Sequence, residues 1–78
     1  MISAIQCKMA RAALGLGVRD LAARARVGIS TVARFESGER ETTAANLAAI
    51  RAALESAGVE FIAENGGGAG VRLRRPAP

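Results

Sequence analysis

Histidine is missing from this 78-residue chain, and cysteine occurs once. A single cysteine forms no intramolecular disulfide, and one thiol without an imidazole cannot build the usual zinc clusters. No apolar run approaches the roughly 20 residues of a membrane-spanning helix. Met1-Ile2-Ser3 is not the charged start of a secretory leader, and Lys8 falls where a leader is apolar, so a cytoplasmic protein is expected. Gly66-Gly67-Gly68 lacks the Lys-Ser/Thr that follows a phosphate-binding glycine loop. Asp20 and Glu36 have structural explanations, given below. These gaps leave an enzyme with little support, and no cofactor or metal is expected.

Acidic side chains are the minority: seven Asp+Glu stand against eleven Lys+Arg, a formal charge of +4. A small basic domain has either a polyanion partner or simply a solvated basic surface. The length fits one domain and no more. A chain this short buries only about 60% of the surface its unfolded form exposes, so support from a second copy fits the thin core. Cys7 lies in an apolar-rich stretch and reads as a small buried residue, since only Lys8 nearby would lower its pKa.

The composition is otherwise that of a helical chain. Residues 3–14 form a first helix capped by Ser3, with Ile2, Ile5, Met9, Ala12 and Ala13 on one apolar stripe, and Gly15 stops it. A second helix covers residues 18–25, with Gly17 at its cap, Asp20 suiting the dipole of its first turn, and Leu21, Ala22 and Ala25 inward. A third covers residues 29–36, with only Val32 and Phe35 inward, and Ser37-Gly38 closes it. Thr42 or Thr43 caps a fourth that runs to Ala57 with Leu47, Ile50 and Leu54 on its core stripe, and Gly58 ends it.

Beyond Gly58 the period shifts to two. "VEFI" places Val59 and Phe61 on one face and "VRLR" places Val71 and Leu73 on one face, separated by a longer loop through "AENGGGAG". The expected division is a helical unit over residues 1–58, a β extension over 59–75 and a frayed tail over 76–78. The expected fold is mainly α: a bundle of four helices followed by a short C-terminal β-hairpin or pair of strands.

Only Arg26-Val27-Gly28 separates the second and third helices. Two short helices on a tight turn are the geometry of a helix-turn-helix, whose second member enters the major groove of DNA. The third helix suits that task. Its inward contacts are few, Gly28 leaves its N-terminal amides open to a phosphate, and its small residues allow close approach. Arg34 can bond the O6 and N7 of a guanine, Ser30 can donate or accept, and Ile29 can touch a thymine methyl. Two of these have a plainer alternative: Arg34 as a solvated surface arginine, Ser30 as a partner for first-turn amides.

Residues 6–57 resemble the Cro/phage-repressor type of helix-turn-helix regulator, the XRE family. The resemblance rests on "RAALGLGVRDLAARARVGISTVARFESGER" and the following "NLAAIRAAL", with Leu14-Gly15-Leu16, Leu21-Ala22 and Glu36-Ser37-Gly38 in the places the family pattern gives them. It implies a lambda-repressor-like bundle that binds double-stranded DNA in the major groove. It also implies that Ile29, Ser30, Ala33 and Arg34 face the groove. Thr31 then lies near the phosphate strand, Val18 and Arg19 lie over the backbone, and Arg40 and Thr43 meet phosphates from the loop after the third helix. Arg11 and Glu36 match an ion pair tying the first helix to the end of the third. Glycine replaces the usual polar caps at Gly17 and Gly28, which removes a side-chain phosphate bond sometimes made there. Family members bind as two-fold dimers with half-sites about one helical turn, roughly 34 Å, apart.

The chain beyond Gly58 is then the candidate dimer surface, because Val59, Phe61, Val71 and Leu73 are too apolar for a free hairpin. It either lies back on its own helices or pairs its open edge with the same strand of a second copy, the latter being favoured. Arg72, Arg74 and Arg75 either add phosphate contacts or keep that edge solvated. The expected function is a sequence-specific regulator, most simply a homodimeric repressor. The alternative is an antitoxin-type interaction module that binds a toxin as well as DNA.

Overall fold

The computed structural model describes residues 2–74. Four helices, α1 (Ala4–Leu14), α2 (Val18–Ala25), α3 (Ile29–Ser37) and α4 (Ala44–Ser56), are followed by strands β1 (Val59–Ile62) and β2 (Gly70–Leu73). The strands form an antiparallel pair with Val59 opposite Leu73 and Phe61 opposite Val71. The expectations for Arg75 and the tail 76–78 lie outside the described residues.

The helix boundaries follow from local chemistry. Ser3 Oγ accepts from the Gln6 backbone N–H at 3.1 Å while Gln6 Oε1 accepts from the Ser3 N–H at 2.9 Å, a reciprocal capping box. At the start of α2 the glycine cap has no side chain, and the Asp20 carboxylate instead takes the Gly17 N–H at 2.9 Å. Thr43, rather than Thr42, caps α4, accepting from the Asn46 N–H at 3.1 Å. Gly38 ends α3 at φ 74, a conformation in which a side chain would be strained. Arg26 adopts the same left-handed region at φ 58 between α2 and α3, an unusual place for a long side chain.

Leu21, Val32, Ile50 and Leu54 are fully buried and form the centre of the core, joined by Cys7, Ala10 and Val59. The inner residues expected for α2 and α4 are the observed ones. α1 is different. Its expected apolar stripe is not its buried face: Ile5 is 67% exposed, Ala12 and Ala13 are exposed and Met9 is half-buried, while Gln6, Cys7 and Ala10 point inward. Of that stripe only Ile2, which precedes the helix, reaches the core. Both faces of this alanine-rich helix are apolar enough to satisfy the helical period, and tertiary contacts decide between them.

The hairpin lies back on its own chain. β2 runs along α1, and β1 packs on α4 and α1. Val59 enters the core, with Phe61 and Val71 packed against it. Leu73 differs from expectation: it shares their face but is 53% exposed, although Val59 opposite it is buried. Gln6 fastens the other end, its Nε2 donating to Ile62 O at 3.2 Å and Gly70 O at 3.1 Å. Arg72 pairs with Glu60 across the strands at 3.2 Å, and Arg74 Nη2 donates to Glu55 O at the end of α4. Both arginines are thus engaged within the fold.

Candidate nucleic-acid interface

α2 and α3 meet through a turn closed by the Val27 N–H donating to Ala22 O at 3.1 Å. Val27 is half-buried against the core. α3 is anchored by one line of residues: Val32 is buried, Phe35 is half-buried and Glu36 is 6% exposed. Ile29, Ser30, Ala33, Arg34 and Ser37 stay exposed on the opposite side. Ile29, at 46%, is a large apolar side chain left in water at the helix start. Among the described residues, the Ile29 and Ser30 backbone N–H groups have no hydrogen-bond acceptor, as the glycine cap predicts.

The anchor at Glu36 is a buried network. Arg11 Nη2 donates to Glu36 Oε1 at 2.6 Å and Arg11 Nε to Oε2 at 2.7 Å, a two-pronged pair. Cys7 Sγ donates to the same Oε2 at 3.1 Å, and Arg11 Nη1 donates to Leu16 O at 3.1 Å. Burial pushes the Glu36 carboxyl up, but the hydrogen bonds from Arg11 and Cys7 and the charges of Arg11 and Lys8 outweigh it, so the net direction is down. Burial, followed by the bond to Glu36 and that carboxylate's charge, pushes the Cys7 thiol up to about 12, only partly opposed by Arg11. The thiol therefore stays protonated and acts as a donor.

Beside α3 lies a shallow cleft of about 190 Å³. Ser30, Thr31 and Arg34 line it from α3, Arg40, Glu41 and Thr42 from the connecting segment, and Thr43 and Asn46 from the first turn of α4. The Arg40 N–H donates to Arg34 O at 3.4 Å, which draws the segment back along the helix it follows. Arg34 and Arg40 enter no ion pair among the described residues, so two cations face one opening.

The cleft gathers Ser30, Thr31, Arg34, Arg40 and Thr43 from the residues singled out in the sequence. Ile29 and Ala33 lie on the same helix outside its lining. Thr31 is half-buried, and its hydroxyl oxygen lies where a side chain at position 28 would meet it. Val18 is half-buried and packs against the core, while Arg19 beside it is exposed at the start of α2. Sequence reasoning missed Glu41, Thr42 and Asn46 as members of this site, with Thr42 read only as a cap for α4. Asn46 carried a usable signal, because it stands three residues after a capping threonine and so shares the first turn of α4.

Among the described residues no cluster of His, Cys, Asp or Glu is arranged to hold a metal, and no helix is long and apolar enough to cross a membrane. A family model described as helix-turn-helix matches residues 8–61, well over half the chain. No curated protein gives a significant match. The matched span begins inside α1, includes the α2–α3 pair and α4, and reaches β1. An exposed, lightly anchored second helix beside an unpaired basic cleft, within a chain matched in this way, places the protein in the Cro/C1-type (XRE) helix-turn-helix family as a DNA-binding regulator.

Proposed function

We propose that the protein is a cytoplasmic, sequence-specific repressor that binds as a homodimer through its C-terminal strands and blocks a promoter. The observation that carries this reading is the convergence of Ser30, Thr31, Arg34, Arg40 and Thr43 on one open cleft whose two arginines form no ion pair among the described residues. α3 lies in the major groove. Arg34 takes a guanine through O6 and N7, Ile29 meets a thymine methyl, Ser30 bonds a base edge, and Ala33 lets the backbone approach. Thr31, Arg40 and Thr43 hold phosphates of one strand; Val18 and Arg19 bring the start of α2 over the other. The amides left open by Gly28 add an acceptor-free helix N-terminus that favours a phosphate.

Selection of bound sites from random duplexes tests the reading. It should return a two-fold site with half-sites about one helical turn, roughly 34 Å, apart. Arg34→Ala should then cost roughly 1–3 kcal/mol on that site and relax the choice at one base pair. Equal loss on random DNA makes Arg34 a phosphate contact only. Failure to enrich any site rejects sequence-specific binding.

A further inference from the structure

The hairpin loop carries a chemical arrangement that DNA binding does not use. Between Ile62 and Gly70, the last paired residues of β1 and β2, the chain is exposed throughout and carries Asn65-Gly66 near its middle. Gly66 and Gly68 sit at φ 98 and 86, where a side chain is strained, so this turn depends on glycine.

Three hydrogen bonds order the loop. Glu64 Oε1 accepts from the Gly66 N–H at 2.8 Å and from the Gly68 N–H at 3.0 Å. Asn65 Oδ1 accepts from the Gly67 N–H at 3.3 Å. The bonds from Gly68 and Gly66 hold the Glu64 carboxyl below its ordinary value of 4.5, so it is ionised at neutral pH. A side chain bonded to the backbone two residues on keeps its carbonyl carbon beside the intervening nitrogen. Here that nitrogen belongs to Gly66, and no side chain at position 66 screens it. Asn65 Cγ is thus an electrophile and Gly66 N a nucleophile. Glu64 Oε1 can accept the nucleophile's proton, and the Gly67 N–H donates to the oxygen on which charge develops.

We propose that Asn65 is a self-modification site: its side chain closes on the Gly66 nitrogen, with Glu64 as the base, and ends as a carboxylate. The N–Cγ bond forms as the Gly66 proton passes to Glu64 Oε1. The negative charge on Asn65 Oδ1 is held by the Gly67 N–H. When that C=O re-forms, the Cγ–Nδ2 bond breaks, Nδ2 takes the proton from Glu64, and ammonia leaves behind a five-membered imide. Water then opens the imide at either carbonyl, giving aspartate or isoaspartate at position 65. Nothing is oxidised or reduced, and Glu64 returns to its starting state. The step needs neither DNA nor a second copy. Gln6 clamps Ile62 O and Gly70 O at the base of the loop, so the strands stay paired while the tip gains a second carboxylate beside Glu64. The formal charge falls one unit from +4. The chain's other asparagine, Asn46, lacks this setting: it precedes Leu47 within α4, and the Leu47 N–H donates to Thr43 O at 2.9 Å.

Incubation of the full chain at pH 7, followed by tryptic digestion and mass spectrometry, tests this. The peptide 52–72, which carries Asn65, should show the mass gain of an amide turned acid, and the peptide 41–51, which carries Asn46, should not. Conversion should be about tenfold faster in the folded chain than in a synthetic peptide 52–72, which lacks the fixed geometry. Glu64→Gln still offers an acceptor to the Gly66 N–H but is no base, so it should slow conversion about tenfold or more with thermal unfolding unchanged. Asn65→Gln, one methylene longer, should abolish the gain. Conversion no faster than in the synthetic peptide overturns the proposal, as does an unchanged or raised rate in Glu64→Gln. An equal gain in the peptide 41–51 overturns it too, since Asn46 has neither the base nor the free nitrogen.

Discussion

Removing Arg11 should damage the fold more than removing its partner, and should reverse the response to acid. The Glu36 side chain is 5% exposed and the Arg11 side chain 21% exposed. Arg11→Met strands a buried carboxylate with one thiol donor. Breaking a buried pair in this way costs about 3–5 kcal/mol, and the partial exposure of this pair points to the lower end, about 3 kcal/mol. Glu36→Gln instead leaves a guanidinium that keeps Leu16 O and reaches water, a loss of about 1–2 kcal/mol. Against the roughly 4–12 kcal/mol expected for a domain of this size, the two variants are separable by urea unfolding at pH 7. The double variant Arg11→Met/Glu36→Leu should recover much of the loss, because it leaves no buried charge.

The pH series is the sharper test. In the wild type Glu36 has a folded-state pKa below its ordinary value of 4.5. The unfolded chain therefore holds more protons there, and the stability from this group is full above 4.5 and lost as pH falls through the folded value. In Arg11→Met the lowering from the guanidinium is gone, burial dominates, and the folded pKa rises above the unfolded one. The contribution is then full below the unfolded value and lost as pH rises through the folded one. Above the ordinary value of 4.5 the variant should lose stability with rising pH, relative to Arg11→Met/Glu36→Leu as a carboxylate-free reference. Equal costs for the two single variants, or a wild-type slope in Arg11→Met, would refute the reasoning.

Cys7 should resist thiol reagents at pH 8 in the native state and react at the rate of unfolding; fast native labelling would contradict its raised pKa and burial. Gln6→Leu removes the donor held by Ile62 O and Gly70 O, so it should cost about 1–3 kcal/mol and speed hydrogen exchange in β1 and β2 before α4. Gly38→Ala should cost about 1–2 kcal/mol through its left-handed backbone, read as a lower urea midpoint with an unchanged slope. The logarithm of operator affinity should fall with the logarithm of salt concentration by about 0.9 per phosphate contact, and Arg40→Ala should reduce that slope by about one. An unchanged slope in Arg40→Ala would place Arg40 away from the backbone.

The legible part of the fold is the part fixed locally. Gly15 and Gly38 mark helix ends because the chain needs a left-handed residue there, and Ser3 and Thr43 mark starts because their hydroxyls meet first-turn amides. Leu21, Ile50 and Leu54 are large side chains whose spacing leaves one burial solution. α1 has no such side chain at its centre. Its inward residues are a glutamine, a cysteine and an alanine, and the two polar ones have partners far along the chain: Gln6 has Ile62 and Gly70, Cys7 has Glu36. The position of Arg74 at the end of α4 is equally non-local. The exposed face of α3 was readable because few of its residues could be apolar anchors. The cleft beside it was only partly so, because Glu41 and Thr42 enter it through the path of the connecting segment and Asn46 through the start of α4.

The same polar residues that obscure α1 in the sequence give it its place in the mechanism. Gln6 holds the hairpin, and Cys7 and Arg11, one and five positions later, hold the end of α3. A helix of 11 residues thus carries both the strands proposed to meet a second copy and the anchor of the helix proposed to meet DNA. Hydrogen bonds at both ends tie these surfaces together, so the separation of two α3 helices in a dimer follows from how two hairpins meet. Half-site spacing is on this account set by how Gln6 seats the hairpin, and a substitution that shifts the hairpin without abolishing association, such as Gln6→Leu, should change the spacing recovered from random duplexes before it changes the bases recovered within each half-site.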